Sequence, residues 1–234
     1  MVTFEKNTRL KNILKGIFVI FLYFFVSLFK DLPLLLIGLH YDSFSIFGKE
    51  FYSILIEVLL ILVILFVFKD EFKKAFYDLK KNHLKYFTGN LKYYIIGVIV
   101  MMLANATILM LGGSSSDNET AIRGQFEMYP IYTFISAVFL APILEESVFR
   151  LSFRNIFKNN LLFILASGLI FGGLHLTGML DSNLFFLYLV SYSVMGIAFA
   201  YMLAKTNNIF VTIGFHFMHN GILMSLQTFL LLFG

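Results

Sequence analysis

Long apolar runs broken by short polar segments dominate this chain. A helix needs about 20 mostly apolar residues to cross a hydrocarbon core ~30 Å thick. Runs of that kind fall near residues 13–29, 51–68, 93–111, 129–150, 161–176, 184–204 and 209–233. The first has a short interfacial continuation through Leu34, Leu35 and Leu36. The last contains His216, His219, Asn220 and Gly221, so it reads either as one long helix or as two short ones. The pattern predicts an all-α fold: a polytopic transmembrane helix bundle of seven or eight spans with an intramembrane polar cavity. Residues 1–234 form a single integral membrane domain with no internal repeat. Residues 70–86 are polar but carry Phe72, Phe76, Leu79 and Leu84, a spacing that predicts an amphipathic helix lying on the membrane surface.

Composition sharpens the class. Apolar residues make up 59% of the 234 positions and charged residues 14%, against about 45–50% and about 25% in an ordinary soluble domain. A soluble fold of this size has no interior able to hide the excess, so apolar surface must face lipid. Cysteine is absent, which excludes disulfides, thiol nucleophiles and cysteine-ligated metals. The net charge of +4 belongs to basic loops, and no dense basic stretch on a soluble fold points to nucleic acid. Residues 17–28 resemble the apolar core of a signal peptide. Phe29-Lys30-Asp31 follows them with no small-x-small cleavage site, so a retained first span is expected.

The polar segments also set an orientation. Lys6, Arg9, Lys11 and Lys15 precede the first span, Lys73, Lys74, Lys80, Lys81 and Lys85 lie between the second and third, and Arg150, Arg154 and Lys158 end the fourth. Residues 113–119 are instead Ser/Gly-rich and acidic. The positive-inside rule then puts the N-terminus and the three basic patches in the cytoplasm of a multi-pass cell (plasma) membrane protein, with the Ser-rich loop outside.

Three polar clusters lie inside apolar runs, where an ionisable side chain is expensive and a functional candidate by default. In Glu145-Glu146-Ser-Val-Phe-Arg150, Glu146 and Arg150 have the i, i+4 spacing of a helical ion pair. Glu145, about 100° further round the helix, is left for chemistry. Pro142 just upstream removes a backbone hydrogen bond and can kink the helix. The bland reading is a span that merely ends in charges. His175 follows Gly168 and Gly172, a small-xxx-small face for close helix packing, and a lone histidine there is often a packing residue. His216 and Asn220 share a face one turn apart, with His219 on the adjoining edge, and packing does not readily explain them. Together the clusters supply a carboxylate base, two imidazoles and an amide donor. Those parts suit hydrolysis by an activated water with stabilisation of the oxyanion that develops.

The motifs Glu145-Glu146-x-x-x-Arg150, Phe171-x-x-x-His175 and His216-x-x-x-Asn220, in that order, resemble those of the CAAX-protease and bacteriocin-processing family (CPBP, or Abi) of intramembrane glutamic endopeptidases. The resemblance covers about residues 129–221. It implies that Glu145 and His175 activate the attacking water and that His216 and Asn220 stabilise the oxyanion. It further implies that Glu146 and Arg150 support the site, and that no metal or other cofactor is used. The substrate implied is a membrane-associated peptide or a lipidated protein. A composition rich in Phe, Ile, Lys and Asn resembles that of low-GC Gram-positive bacteria and tilts the expectation toward bacteriocin or pheromone maturation or immunity, with CAAX-type processing beside them. His219 lies outside the family pattern.

Two other readings compete. One is a zinc-dependent membrane hydrolase with Glu145, His175 and His216 as ligands. The other is a non-enzymatic immunity or scaffold protein, or a transporter, although no paired halves with broken helices are visible. Depth poses a further constraint. If the fourth span ends at Arg150, Glu145 lies near its end, while His175 is ~22 Å into the fifth. The two meet only if the fourth helix continues past Arg150, the helices tilt, or residues 150–160 enter the bilayer. A tilted cavity open to the cytoplasm is the expectation.

Overall fold

The computed structural model describes residues 2–233, with side chains for residues 8–230 and 233. Residues 1 and 234 of the expected single domain, and the side chain of Lys6 in the first basic patch, lie outside the described residues. All regular structure among the described residues is helical, as the apolar runs required.

The first span is α1 (Val2–Phe29), followed by the short α2 (Leu32–Leu36), which has Pro33 in its first turn. After a turn, α3 (Ile46–Val67) starts on Ser45, whose hydroxyl accepts the Gly48 N–H at 3.2 Å. Next come α4 (Lys69–Met110) and α5 (Asp117–Met128). The fourth span, Pro130–Ile156, is composite. It comprises α6 (Pro130–Ile135), a π-helical turn at Ser136–Leu140, α7 (Ala141–Glu145), a second π segment at Glu146–Ser152, and α8 (Phe153–Ile156). The rest is α9 (Asn160–Leu174), α10 (Phe185–Thr206) and α11 (Ile209–Phe233).

Six of the described helices are long and apolar enough to cross a membrane, and the apolar α9 is shorter. The total of seven is the lower of the two expected counts. The last apolar stretch is one helix, not two. Residues 70–86 correct the sequence reading: they do not form a separate surface helix but the first part of the 42-residue α4. No proline stands between Tyr86 and Tyr93, and Gly89 alone costs the helix only about 1 kcal/mol, so the helix runs on. Phe72 and Ala75 are buried in the core, and Asn208 donates to the Ala75 carbonyl at 2.8 Å.

The bundle is built around α10, which packs between α9 and α4. The small-residue face of α9 makes that contact close. A Cβ on Gly172 would lie 2.7 Å from the Ser193 backbone nitrogen, and one on Gly168 2.7 Å from that of Ile197. At one end of the bundle Arg9 donates to the Asn155 and Ile156 carbonyls, both at 2.6 Å, and Lys15 pairs with Glu71 at 3.0 Å. Lys30, Ser45 and Pro130 mark the opposite end, where α1 finishes and α3 and the fourth span begin.

Candidate active site

The fourth helix does not stop at Arg150. It continues to Ile156, because Arg150 is neutralised within the protein and never reaches solvent. Glu145 is therefore 11 residues from that end, ~16 Å at 1.5 Å per residue. His175 caps the C-terminus of α9, 15 residues after Asn160, ~22 Å by the same rise. Continuation of the fourth helix thus brings the two toward a common depth.

Glu146 and Arg150 have no exposed surface, and Nε of the guanidinium lies 3.3 Å from Glu146 Oε2. The guanidinium carbon sits 4.4 Å from the Phe171 ring centroid and 5.9 Å from that of Phe199, so α9 and α10 supply aromatic faces to the cation. The other oxygen of Glu146 lies 2.9 Å from His216 Nδ1 on α11. A carboxylate already paired with Arg150 accepts that bond, so Nδ1–H donates and the ring is turned with Nε2 toward Glu145. The Nε2–Oε2 separation there is 3.6 Å, just beyond hydrogen-bond range. The second π segment underlies this arrangement. Its wider turn is a local device often found at functional sites, and here both consecutive glutamates face one imidazole.

The other sequence-predicted residues stand further off. His175 Nδ1 is 2.8 Å from the Phe171 carbonyl, an acceptor, so Nδ1–H donates and Nε2 remains the acceptor. The ring stacks on Tyr192 with centroids 5.4 Å apart, and the Tyr192 hydroxyl pairs with Ser116. Among the described residues it makes no hydrogen bond to Glu145; Phe171, in ring contact with both histidines, is the link. Asn220 donates from Nδ2 to the Ala137 carbonyl at 2.8 Å. Ala141 N–H closes the first π turn on the Ser136 carbonyl. The next rung, from residue 142 to Ala137, has no N–H because residue 142 is proline. Asn220 fills the vacancy Pro142 creates, keeping its second amide hydrogen. His219 faces α4, with Nδ1 3.4 Å from the Tyr94 hydroxyl. No three His, Asp or Glu side chains among the described residues are grouped as a metal site needs.

A cavity of about 200 Å³ opens beside Glu145, lined also by Tyr23, Lys30, Glu57, Tyr132 and Ser136. Its polar lining runs toward the Lys30 end of the bundle, away from the basic patches, whereas the sequence suggested an opening at the basic end. Glu57 is the site residue the sequence reading missed. It lies midway along α3 between Leu55-Ile56 and Val58-Leu59, and an acid inside an apolar span was the signal available.

This is a polytopic helical membrane protein in which Glu145 meets a buried His–Glu–Arg constellation inside the fourth span. Residues 127–222 match the family model described as Rce1-like, type II CAAX prenyl endopeptidase Rce1-like. Over this segment the chain is similar to that family, in agreement with the resemblance carried by the three motifs. The chain is also similar to YdiL of Bacillus subtilis (strain 168), named as a candidate membrane peptidase, with 31% identity over 142 residues, 59% of this chain and 49% of that one. An uncharacterized protein of Mycoplasma capricolum subsp. capricolum is 28% identical over 189 residues, 71% of this chain and 53% of that one. The chain thus spans about half the length of the curated relatives it matches. No solved structure matches it.

Proposed function

We propose that the chain is an intramembrane glutamic endopeptidase that hydrolyses a peptide bond in a membrane-associated peptide or lipidated protein. The observation that carries this reading is Glu145 lining the cavity with His216 Nε2 3.6 Å away, the imidazole held in place by the buried Glu146–Arg150 pair. In this reading Glu145 is the general base for water, assisted by His175 through its acceptor Nε2. His216, when Nε2 also carries a proton, and the second amide hydrogen of Asn220 donate to the oxyanion. A base and oxyanion donors placed in a water-poor site act with little reorganisation. The peptidase description of the matched family and of YdiL supports the reaction class. The physiological role follows the composition: maturation of, or immunity to, a bacteriocin or peptide pheromone, in the plasma membrane with the N-terminus in the cytoplasm.

The test is cleavage of farnesylated tails and bacteriocin-type precursors by purified protein in nanodiscs. Removing the base by Glu145→Gln should lower kcat by about 10²–10⁴, and a chelator should leave the wild-type rate unchanged. Cleavage that survives Glu145→Gln overturns the assignment of the base. Cleavage abolished by a chelator moves the protein to the zinc-hydrolase reading.

A further inference from the structure

Glu57 has no place in the mechanism above, yet it is a carboxylate in the middle of a membrane span. Such a group is expensive in a membrane unless the fold engages it. Both its oxygens are engaged, and by one neighbouring helix. Oε1 accepts from the Tyr132 hydroxyl and Oε2 from the Ser136 hydroxyl, each at 2.8 Å. Among the described residues no lysine or arginine forms an ion pair with it. Lys30 lines the same cavity, but its ammonium sits over the Tyr41 ring, 5.4 Å from the centroid.

The two donors are themselves informative. Tyr132 and Ser136 are one turn apart on the helix that carries Glu145, and Ser136 opens the first π turn. The next carbonyl, Ala137, is the one orphaned by Pro142 and held by Asn220 of α11. The irregular turn is thus pinned to α3 on one side and to α11 on the other. A proline-weakened π turn has alternative hydrogen-bond registers, and each one would rotate and translate everything downstream. Glu145 lies nine residues beyond Ser136, ~13 Å along the axis.

We propose that Glu57 is a positioning residue for Glu145: by accepting from Tyr132 and Ser136 it fixes the register of the π turn that aims the Glu145 carboxylate at His216. The inference rests on the peptidase reading for its kinetic consequence, but its structural consequence can be read without activity.

The test compares Glu57→Gln, Glu57→Leu and the double variant Tyr132→Phe/Ser136→Ala in nanodiscs. A glutamine can accept from one hydroxyl and donate to the other, so Glu57→Gln should retain at least about a third of the wild-type kcat. Leucine loses both bonds, and the double variant removes both donors. A displacement of ~1 Å at a catalytic group can cost about 10²-fold, so both should lower kcat by that order with KM changed less than about threefold. The chain has no cysteine, so Glu145→Cys provides an activity-free readout through its rate of modification by a small thiosulfonate. That rate should change at least about tenfold when Glu57→Leu or the double variant is added, and stay near its starting value with Glu57→Gln. If Glu57→Gln fails as badly as Glu57→Leu, the charge matters and not the clamp, and the proposal falls. An unfolding temperature that drops while kcat, KM and the thiol rate stay put reduces Glu57 to a structural anchor. Should Glu145→Gln itself still cleave, the peptidase reading fails while the thiol rates continue to decide the role of Glu57.

Discussion

At the scale of single residues, burial of Arg150 is the defining feature. A guanidinium with no exposed surface is tolerable only because Glu146 neutralises it and Phe171 and Phe199 cover it. Desolvation makes the intact pair a modest contributor, but loss of one partner leaves an uncompensated buried charge at a cost of about 3–5 kcal/mol. Arg150→Met should therefore destabilise the protein by that order in an unfolding titration, and so should Glu146→Gln. The double variant should recover a large part, because it removes both charges together. Equal and additive losses would mean that the pair acts through separate partners. The i, i+4 spacing made this pair legible in the sequence. The pairing of His216 with both glutamates was not, because it depends on the approach of α11 to the second π segment, and no spacing along one helix encodes that. Glu57 was not legible for a different reason: it stands between apolar neighbours, outside any cluster of polar residues.

At the scale of elements, the apolar runs located the spans but not the ends of two of them. The fourth appeared to stop at Arg150 because a charge normally marks an interface; the charge is internal, and the helix continues to Ile156. The third appeared to start near Tyr93 because the polar segment before it looked like a separate piece; without a proline, α4 runs through it. Helix contacts were legible where small residues recur. Gly172 meets the Ser193 backbone so closely that a methyl group cannot be accommodated without moving α9 from α10. Overpacking of this kind costs typically about 1–3 kcal/mol. Gly172→Ala should lower the unfolding temperature and reduce cleavage, since α9 carries both Phe171 and His175. Gly173 has open space at the same depth, so Gly173→Ala should be nearly silent. An equal loss at both positions would show that the α9–α10 contact does not set the response, because alanine raises helix propensity at both.

For the whole molecule, the decisive property is which way the cavity faces. The basic residues Lys81 and Lys158 and the N-terminal patch lie toward one end, whereas the cavity lining extends toward the other, where Lys30 lies and where the Ser-rich loop after α4 also emerges. If the positive-inside rule holds, the cavity is approached from the outer leaflet, and a substrate would be a peptide on its way out of the cell or already outside it. That suits maturation of an exported peptide, or destruction of an incoming one, better than removal of a tail from a cytoplasmic prenylated protein. The cysteine-free chain makes the orientation directly measurable. Ser115, Lys81 and Lys158 are all exposed and tolerate a single cysteine each. A membrane-impermeant maleimide applied to intact cells should label Ser115→Cys at once, and should label Lys81→Cys and Lys158→Cys only after permeabilisation. The opposite pattern would place the cavity mouth in the cytoplasm and turn the search for substrates toward proteins lipidated on that side. Because the cavity beside Glu145 extends toward the Lys30 end of the bundle, the labelling pattern fixes the side from which a peptide reaches it.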